Sequence, residues 1–333
     1  MKCLVIGAGW YGCHLGSYLL SKGHQITIVD KENTFFAGSS SKNQNRLHLG
    51  YHYPRSPETI KECQEGYVRF KSEYPDLSTD IIDNVYFIAK QGSKTDVKEF
   101  MEIFQELYPS TDILLIDIKG VCVEYFKTKE RYIDFNKARE HFKKLLGKYL
   151  VCISNPPAFS SIDNILGYFD TPFDFVLNCT YNRLESFGEG TFETFTTLLY
   201  KIETPRPFAY TIMDGEYYSV FPYSIDEKIY TVTSVKDGPR ITDVNTMRQS
   251  IDAGISRFIP SWADKATFVG SYVSYKTKPK STTDDRSVRL SMTGNVISIY
   301  GGKITGIFHA EELLNQLLSP STSCFLPLKA ESR

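Results

Sequence analysis

The sequence predicts an α/β protein in which a Rossmann-like dinucleotide-binding domain, assembled from separated segments, is interleaved with a mostly antiparallel β-sheet domain. Three observations predict it. A strand, a glycine turn, a helix and a second strand fill the first thirty residues. Apolar strands that break into small polar residues recur near residues 175 and 296. The segments between them alternate apolar and polar residues with period two, joined by turn residues.

The first unit begins with the apolar run Cys3 to Ile6 and passes through Gly7, Ala8, Gly9, Trp10, Tyr11 and Gly12 into a helix with Leu15, Leu19 and Leu20 at helical spacing. A second apolar strand, "HQITIVD", ends on Asp30, followed by Lys31. Gly7 suits the tight turn, Gly9 lets the backbone approach a pyrophosphate, and Gly12 lets the helix lie against the sheet. The helix N-terminus offers unpaired N–H groups to that pyrophosphate, and Asp30 is placed to accept from the adenosine ribose hydroxyls. His14 and His24 are expected to be structural.

A further strand of the same domain is expected in "DFVLNCTYN", where Phe175 to Leu177 runs into Cys179 and Thr180. The last comes in "GNVISIYGGKITGIFHAEELLNQLL", a strand from Val296 to Tyr300, then Gly301, Gly302, Lys303, Ile304 and Thr305, then a helix with Ile307, Ala310, Leu314 and Leu317 on one face. This second helix N-terminus lies beside no ribose-binding acid. It suits the negative charge that a reduced flavin develops over N1 and the C2 carbonyl.

Residues 39 to 59, "SSSKNQNRLHLGYHYPRSPET", concentrate polar chemistry: two of the chain's six histidines, two arginines and two tyrosines. Ser40, Ser41, Asn43 and Asn45 fit contacts to cofactor or phosphate, and Arg46 and Leu47 continue along it. His48 and His52 are candidate bases, since imidazole titrates near neutrality; Arg46 and Tyr53 complete the catalytic candidates. In an extended segment residues 46, 48 and 52 share a face. The alternative is that the stretch only hydrogen-bonds the flavin edge and its own backbone.

The order of these landmarks, with "AGSSS", "RLHLG", "ERYIDFNKAREHF", "DFVLNCT" and "GGKITG", resembles the D-amino-acid oxidase-like superfamily of FAD-dependent oxidoreductases. That group includes glycine and sarcosine oxidases, L-2-hydroxyglutarate dehydrogenase and FAD-linked glycerol-3-phosphate dehydrogenase. "NQNRLHLGYHYPRSPETIKECQEG" is most similar to the hydroxyglutarate enzymes and "YGGKITG" to the glycerol-3-phosphate enzymes. The resemblance implies FAD as cofactor and an antiparallel sheet covering the flavin. It also implies hydride removal from a small amine, amino acid or 2-hydroxy acid. An NAD(P)-dependent reductase and a flavin-binding protein without turnover are the alternatives.

On this reading residues 1–59, 136–182 and 286–325 form the FAD-binding domain, and 60–135 and 183–285 the substrate domain. Asp214-Gly215 signals a hairpin. Tyr223 and Arg286 are the substrate candidates, and Arg206 and Arg240 are further possible carboxylate or phosphate clamps.

The 333 residues carry 38 basic and 39 acidic side chains, which gives no reason to expect nucleic acid or an anionic membrane as partner. Seven cysteines without a C-x-x-C pair read as free thiols, and no run approaches a membrane span or a signal peptide. The expectation is a cytoplasmic enzyme with a small-molecule substrate and no metal. Its electron acceptor is not legible.

Overall fold

The computed structural model describes residues 1–104, 122–155, 158–184, 190–213, 215, 217–279 and 285–319. Expectations placed on Asp214 and on residues 320–325 lie outside the described residues.

The chain runs β1 (Lys2–Ile6), α1 (Trp10–Ser21), β2 (Gln25–Asp30), β3 (Arg46–Leu47), α2 (Pro57–Glu73), β4 (Ser78–Asp80), β5 (Asp83–Ala89) and α3 (Val97–Ile103). It continues through β6 (Cys122–Lys127), β7 (Arg131–Ile133), α4 (Phe135–Leu146), β8 (Leu150–Cys152), α5 (Ile162–Leu166) and β9 (Phe175–Asn178). The second half holds β10 (Gly190–Ile202), β11 (Phe208–Met213), β12 (Tyr218–Ser224), β13 (Ile229–Ser234), α6 (Val244–Ile255) and α7 (Trp262–Lys265). It closes with β14 (Ala266–Pro279), β15 (Arg289–Thr293), β16 (Val296–Tyr300) and α8 (Ile307–Leu318).

One six-stranded sheet, ordered β15-β16-β9-β1-β2-β8, is parallel except for the β15–β16 hairpin. It is buried on both faces, as a parallel sheet must be. Cys3 and Val5 face a core shared with α1, α4 and α8, while Leu4 and Ile6 face Ile162, Ile165 and Val176 on the other side. Of the two later strands expected from sequence, β9 takes its place beside β1 and β16 beside β9.

The second sheet has seven strands ordered β14-β10-β13-β12-β11-β5-β6, antiparallel except for the parallel pair β5–β11. β11 and β12 pair antiparallel around Gly215, as a hairpin signal there requires. One face packs on α6 and α7 through Met247, Ile251 and Trp262. Its other face carries Tyr86, Thr211, Ser219 and Phe221 toward the polar loop that follows β2. A small sheet, β3-β7-β4, lies between the two.

α2 begins before residue 60 and runs into the 60–135 segment, and its Tyr67 and Phe70 pack in the core shared with α1, α4 and α8. The reason is contact: at Gly66 a Cβ would collide with the Thr305 backbone, so α2 lies against the turn that starts α8. Among the described residues no helix is long and apolar enough to cross a membrane.

Candidate active site

The N-terminal turn is a cradle that only glycine can build. Gly7 takes φ +105°, and a Cβ there would lie 2.8 Å from the Cys179 carbonyl oxygen. At Gly12 a Cβ would collide with the Gly7 carbonyl, and at Gly9 it would meet the Ser40 hydroxyl at 2.6 Å. Ser40 Oγ accepts from the Trp10 N–H at 3.1 Å, which puts the serine-rich loop at the start of α1. The Ala8 N–H donates to the Asp30 carboxylate at 2.7 Å, so the acid closes the turn at the end of β2. Burial raises the Asp30 carboxyl, and the Ala8 bond opposes that rise.

The C-terminal turn lies beside the first. Tyr11 donates its hydroxyl to the Lys303 carbonyl at 2.8 Å, and a Cβ at Gly301 would collide with the same hydroxyl. Apart from the Ser40 hydroxyl on the Trp10 N–H, α1 and α8 start without a cap from their own N-cap residue and without an acid in the first turn, which leaves their positive ends open to an anionic group. The Asn45 side-chain amide, buried at φ +51°, has no partner for either of its polar atoms. A glycine cradle, two helix starts without an acid in the first turn and a buried unsatisfied amide fit a dinucleotide cofactor. Gly7, Gly9, Gly12, Asp30, Ser40 and the Gly301–Thr305 turn would hold it.

The remaining candidates gather where the polar loop meets the second sheet. The His48 and His52 rings stand edge-to-face at 5.2 Å, and Tyr53 lies 6.4 Å and 6.1 Å from them. The Lys303 ammonium sits 4.3 Å from the centre of the Tyr53 ring. Burial, aided by the Lys303 and Arg46 charges, pushes His48 down to about 4. Burial and the charges of Arg46, His48 and Lys303 hold His52 well below its ordinary value. Burial, with the Arg46 charge, pushes Lys303 down to about 7.

Arg46 is deeper than the sequence suggests. Its Nη1 donates to the Tyr86 hydroxyl at 2.5 Å and to Glu130 at 3.3 Å, and its Nη2 to Thr211 at 2.9 Å and Ser219 at 3.1 Å. The guanidinium lies 4.3 Å from the Phe221 ring centre. With 3 % of its surface exposed, Arg46 ties β3 to the second sheet.

Sequence reasoning missed Glu130 and Tyr86. The Glu130 carboxylate accepts from the Leu49 N–H at 2.8 Å and the Tyr86 hydroxyl at 2.7 Å, with His48 Nδ1 at 3.5 Å. Burial pushes its pKa up, but His48, Arg46 and Tyr86 outweigh burial and hold it below the ordinary value. Tyr86 also meets His52 Nδ1 at 2.6 Å. Glu130 stands in "TKERYID", and an acid between two basic residues in sequence carries no mark of burial. The donor set of His48, His52 and Glu130 would suit a cation by spacing. Its carboxylate already carries the Arg46 guanidinium, and Lys303 adds a second positive charge.

Other candidates stand apart from this cluster. Tyr223 faces the nucleotide-binding side, but its ring packs on Phe135 and Tyr272. Arg286 donates its backbone N–H to Thr59, and its charge acts on Tyr181 and Tyr300 beside the C-terminal turn. Arg206 pairs with Asp83, and Arg240 holds the Lys236 carbonyl at the surface. Ser41 bonds the Gly38 carbonyl and Asn43 bonds the Ser39 and Ser40 carbonyls, shaping the loop. Of the two histidines expected to be structural, His14 is buried between Tyr74 and Glu311, and His24 lies near the N-terminal amine.

Comparison with known proteins agrees with this geometry. The family described as FAD dependent oxidoreductase matches residues 2–114. The FAD-dependent monooxygenase FPY4 of Fusarium mangiferae is 28% identical over 94% of this chain and 90% of its own length. The FAD-dependent monooxygenase kojA of Aspergillus flavus is 26% identical over 95% and 85%. Glycine oxidase from Geobacillus kaustophilus shares the fold with a TM-score of 0.69 at 9% identity, covering 99% of this chain and 100% of that one. The two-turn cradle, the two sheets and these matches converge on an FAD-dependent oxidoreductase: residues 2–114 match that family, and the chain shares the fold of glycine oxidase along its length.

Proposed function

We propose that this enzyme removes a hydride from a small substrate, and that within the class of amines, amino acids and 2-hydroxy acids the CH–OH chemistry of a 2-hydroxy acid fits best. The observation that carries this reading is the pair of half-buried histidines, His48 and His52, kept neutral beside Lys303. An alcohol must lose its hydroxyl proton as its hydride departs, so it needs a base; a neutral amine does not. FAD, when bound, supplies the two-electron acceptor. His52 takes the hydroxyl proton, Tyr53 walls the cleft, and Lys303 receives the substrate carboxylate.

The two fungal relatives named above are called monooxygenases, a chemistry that requires a reductant and puts an oxygen atom into the product. The sequence holds one G-x-G-x-x-G turn followed by an acid, which serves one dinucleotide. Electrons drawn from the substrate itself accord with that single site.

The test is anaerobic titration of the purified yellow protein with lactate, glycolate, 2-hydroxyglutarate, glycerol 3-phosphate, a set of amino acids, and NADPH. A 2-hydroxy acid is expected to bleach the flavin, while amino acids and NADPH leave it oxidised. Bleaching by NADPH alone, with label from ¹⁸O₂ appearing in the product, would sink the reading. A flavin that nothing bleaches would mark a binding protein without turnover.

A further inference from the structure

The geometry points to Glu130 and Tyr86 as positioning residues that hold His52 with its proton on Nδ1 and leave Nε2 bare to receive a proton. This rests on the reading that His52 is the base, and it identifies what makes that ring able to act.

The argument is a count of protons. An ionised carboxylate only accepts hydrogen bonds. The Glu130 side chain is wholly buried, and four donor groups converge on it: the Leu49 N–H, the Tyr86 hydroxyl, Arg46 Nη1 and, at the longest distance, His48 Nδ1. Tyr86 has one proton and donates it to Glu130 at 2.7 Å. Toward Arg46 Nη1, which is always a donor, the phenol oxygen must accept. Its third contact, His52 Nδ1 at 2.6 Å, then meets an oxygen with no proton left to give. Nδ1 must therefore carry the hydrogen. In a neutral imidazole with a protonated Nδ1, Nε2 is an unprotonated acceptor.

The surrounding charges support the neutral ring. Arg46, His48, Lys303 and Lys276 all oppose a positive charge on His52, and Tyr53 and Tyr86 are the phenols beside it. Glu130 is the balancing anion of the cluster, and it reaches His52 through Tyr86. A buried carboxylate that fixes a histidine tautomer contributes through geometry, and its amide variant can keep the fold while leaving the wrong tautomer.

Glu130→Gln makes the opposite proton count. The Leu49 backbone N–H cannot turn, so the Gln amide oxygen must serve it, and the NH₂ group faces Tyr86. Tyr86 then turns its proton toward His52 Nδ1, which moves the imidazole proton to Nε2. Tyr86→Phe breaks the link without touching the carboxylate, so it keeps the test open if the first variant fails to fold.

The experiment is ¹⁵N NMR of histidine-labelled holoenzyme, with His52 assigned by its loss in H52Q, together with rates of anaerobic bleaching by the best reductant of the panel above. Wild type is expected to show a protonated Nδ1 and a pyridine-type Nε2. E130Q is expected to shift the proton to Nε2 and lower the bleaching rate by about 10²–10³-fold with little change in the half-saturating substrate concentration. E130D is expected to restore the wild-type tautomer in part, and Y86F to give a mixture. A wild-type His52 protonated on Nε2, or an E130Q protein with the wild-type tautomer, overturns the inference. If H52Q is bleached as fast as wild type while the tautomer is as stated, the base assignment fails and the positioning of His52 stands.

Discussion

Tyr11, one residue into the first helix, donates its hydroxyl to the carbonyl of Lys303 at 2.8 Å, joining the two glycine turns 292 residues apart in sequence. The fit is tight because Gly301 offers no Cβ to the phenol. Gly301→Ala forces the ring or the turn to move, an overpacking that costs about 1–3 kcal/mol. The expected result is a protein that folds with a lowered Tm and binds FAD more weakly, read by flavin fluorescence on dilution. Retention of wild-type flavin affinity would mean that the two turns do not share the cofactor.

Arg46 governs stability more than turnover. Its guanidinium serves Tyr86, Glu130, Thr211 and Ser219, so Arg46→Ala strands a buried carboxylate and several hydroxyls. Breaking a buried pair from one side costs about 3–5 kcal/mol. Urea denaturation is expected to show that loss, with Arg46→Lys intermediate, because a lysine has one point of attachment and no planar face for Phe221. A cost below about 1 kcal/mol would show that the tether is dispensable.

These two residues also mark how far the sequence reaches. Gly7, Gly12 and Asp30 were legible because the unit that uses them is continuous: turn, helix and acid lie within thirty residues. The Gly301 turn was legible for the same local reason. Arg46 could be picked out as chemically rich but not given a task, because its partners lie 40 to 173 residues away in β5, β11, β12 and the segment before β7. Glu130 and Tyr86 were invisible, since their burial is created by sheet pairing and a single acid or tyrosine in a strand-like run has no periodic signature. The packing of α2 was hidden for a related reason: an amphipathic helix states that it has an apolar face, not which core receives it.

Asp30 offers a direct check on the cofactor's position. Its carboxylate accepts from the Ala8 and Glu32 N–H groups, which leaves lone pairs for a ribose diol. Asp30→Asn replaces an acceptor-only group by one that is half donor, so the turn and the diol compete for a single oxygen. A roughly tenfold weaker FAD affinity is expected, the loss of about 1.4 kcal/mol appropriate to one charge-assisted bond. Isothermal titration of apoprotein with FAD and with riboflavin separates the causes. If riboflavin, which has no adenosine ribose, loses as much affinity as FAD, the contact is elsewhere.

Lys303 should leave a signature in the pH dependence of folding. Its pKa is pushed down to about 7 in the folded chain, from an ordinary 10.5. Between those values the unfolded chain binds more protons, so stability rises with pH at a slope of up to about 1.4 kcal/mol per pH unit. Below pH 7 both states are protonated, and the folded chain carries the full cost of a buried ammonium. His48, pushed down to about 4, acts at lower pH: its contribution is present above about 6.5 and is lost as pH falls toward 4. Thermal melts of the apoprotein are therefore expected to show Tm climbing from pH 7 to 9 relative to Lys303→Met, whose curve lacks that increment. A bound carboxylate should reverse the trend, because an anion beside Lys303 favours the charged form; oxalate is expected to stabilise the wild type more at pH 6 than at pH 9 and to leave Lys303→Met unchanged. Parallel curves for the two proteins between pH 7 and 9 would place the ammonium in water and remove it from the substrate site.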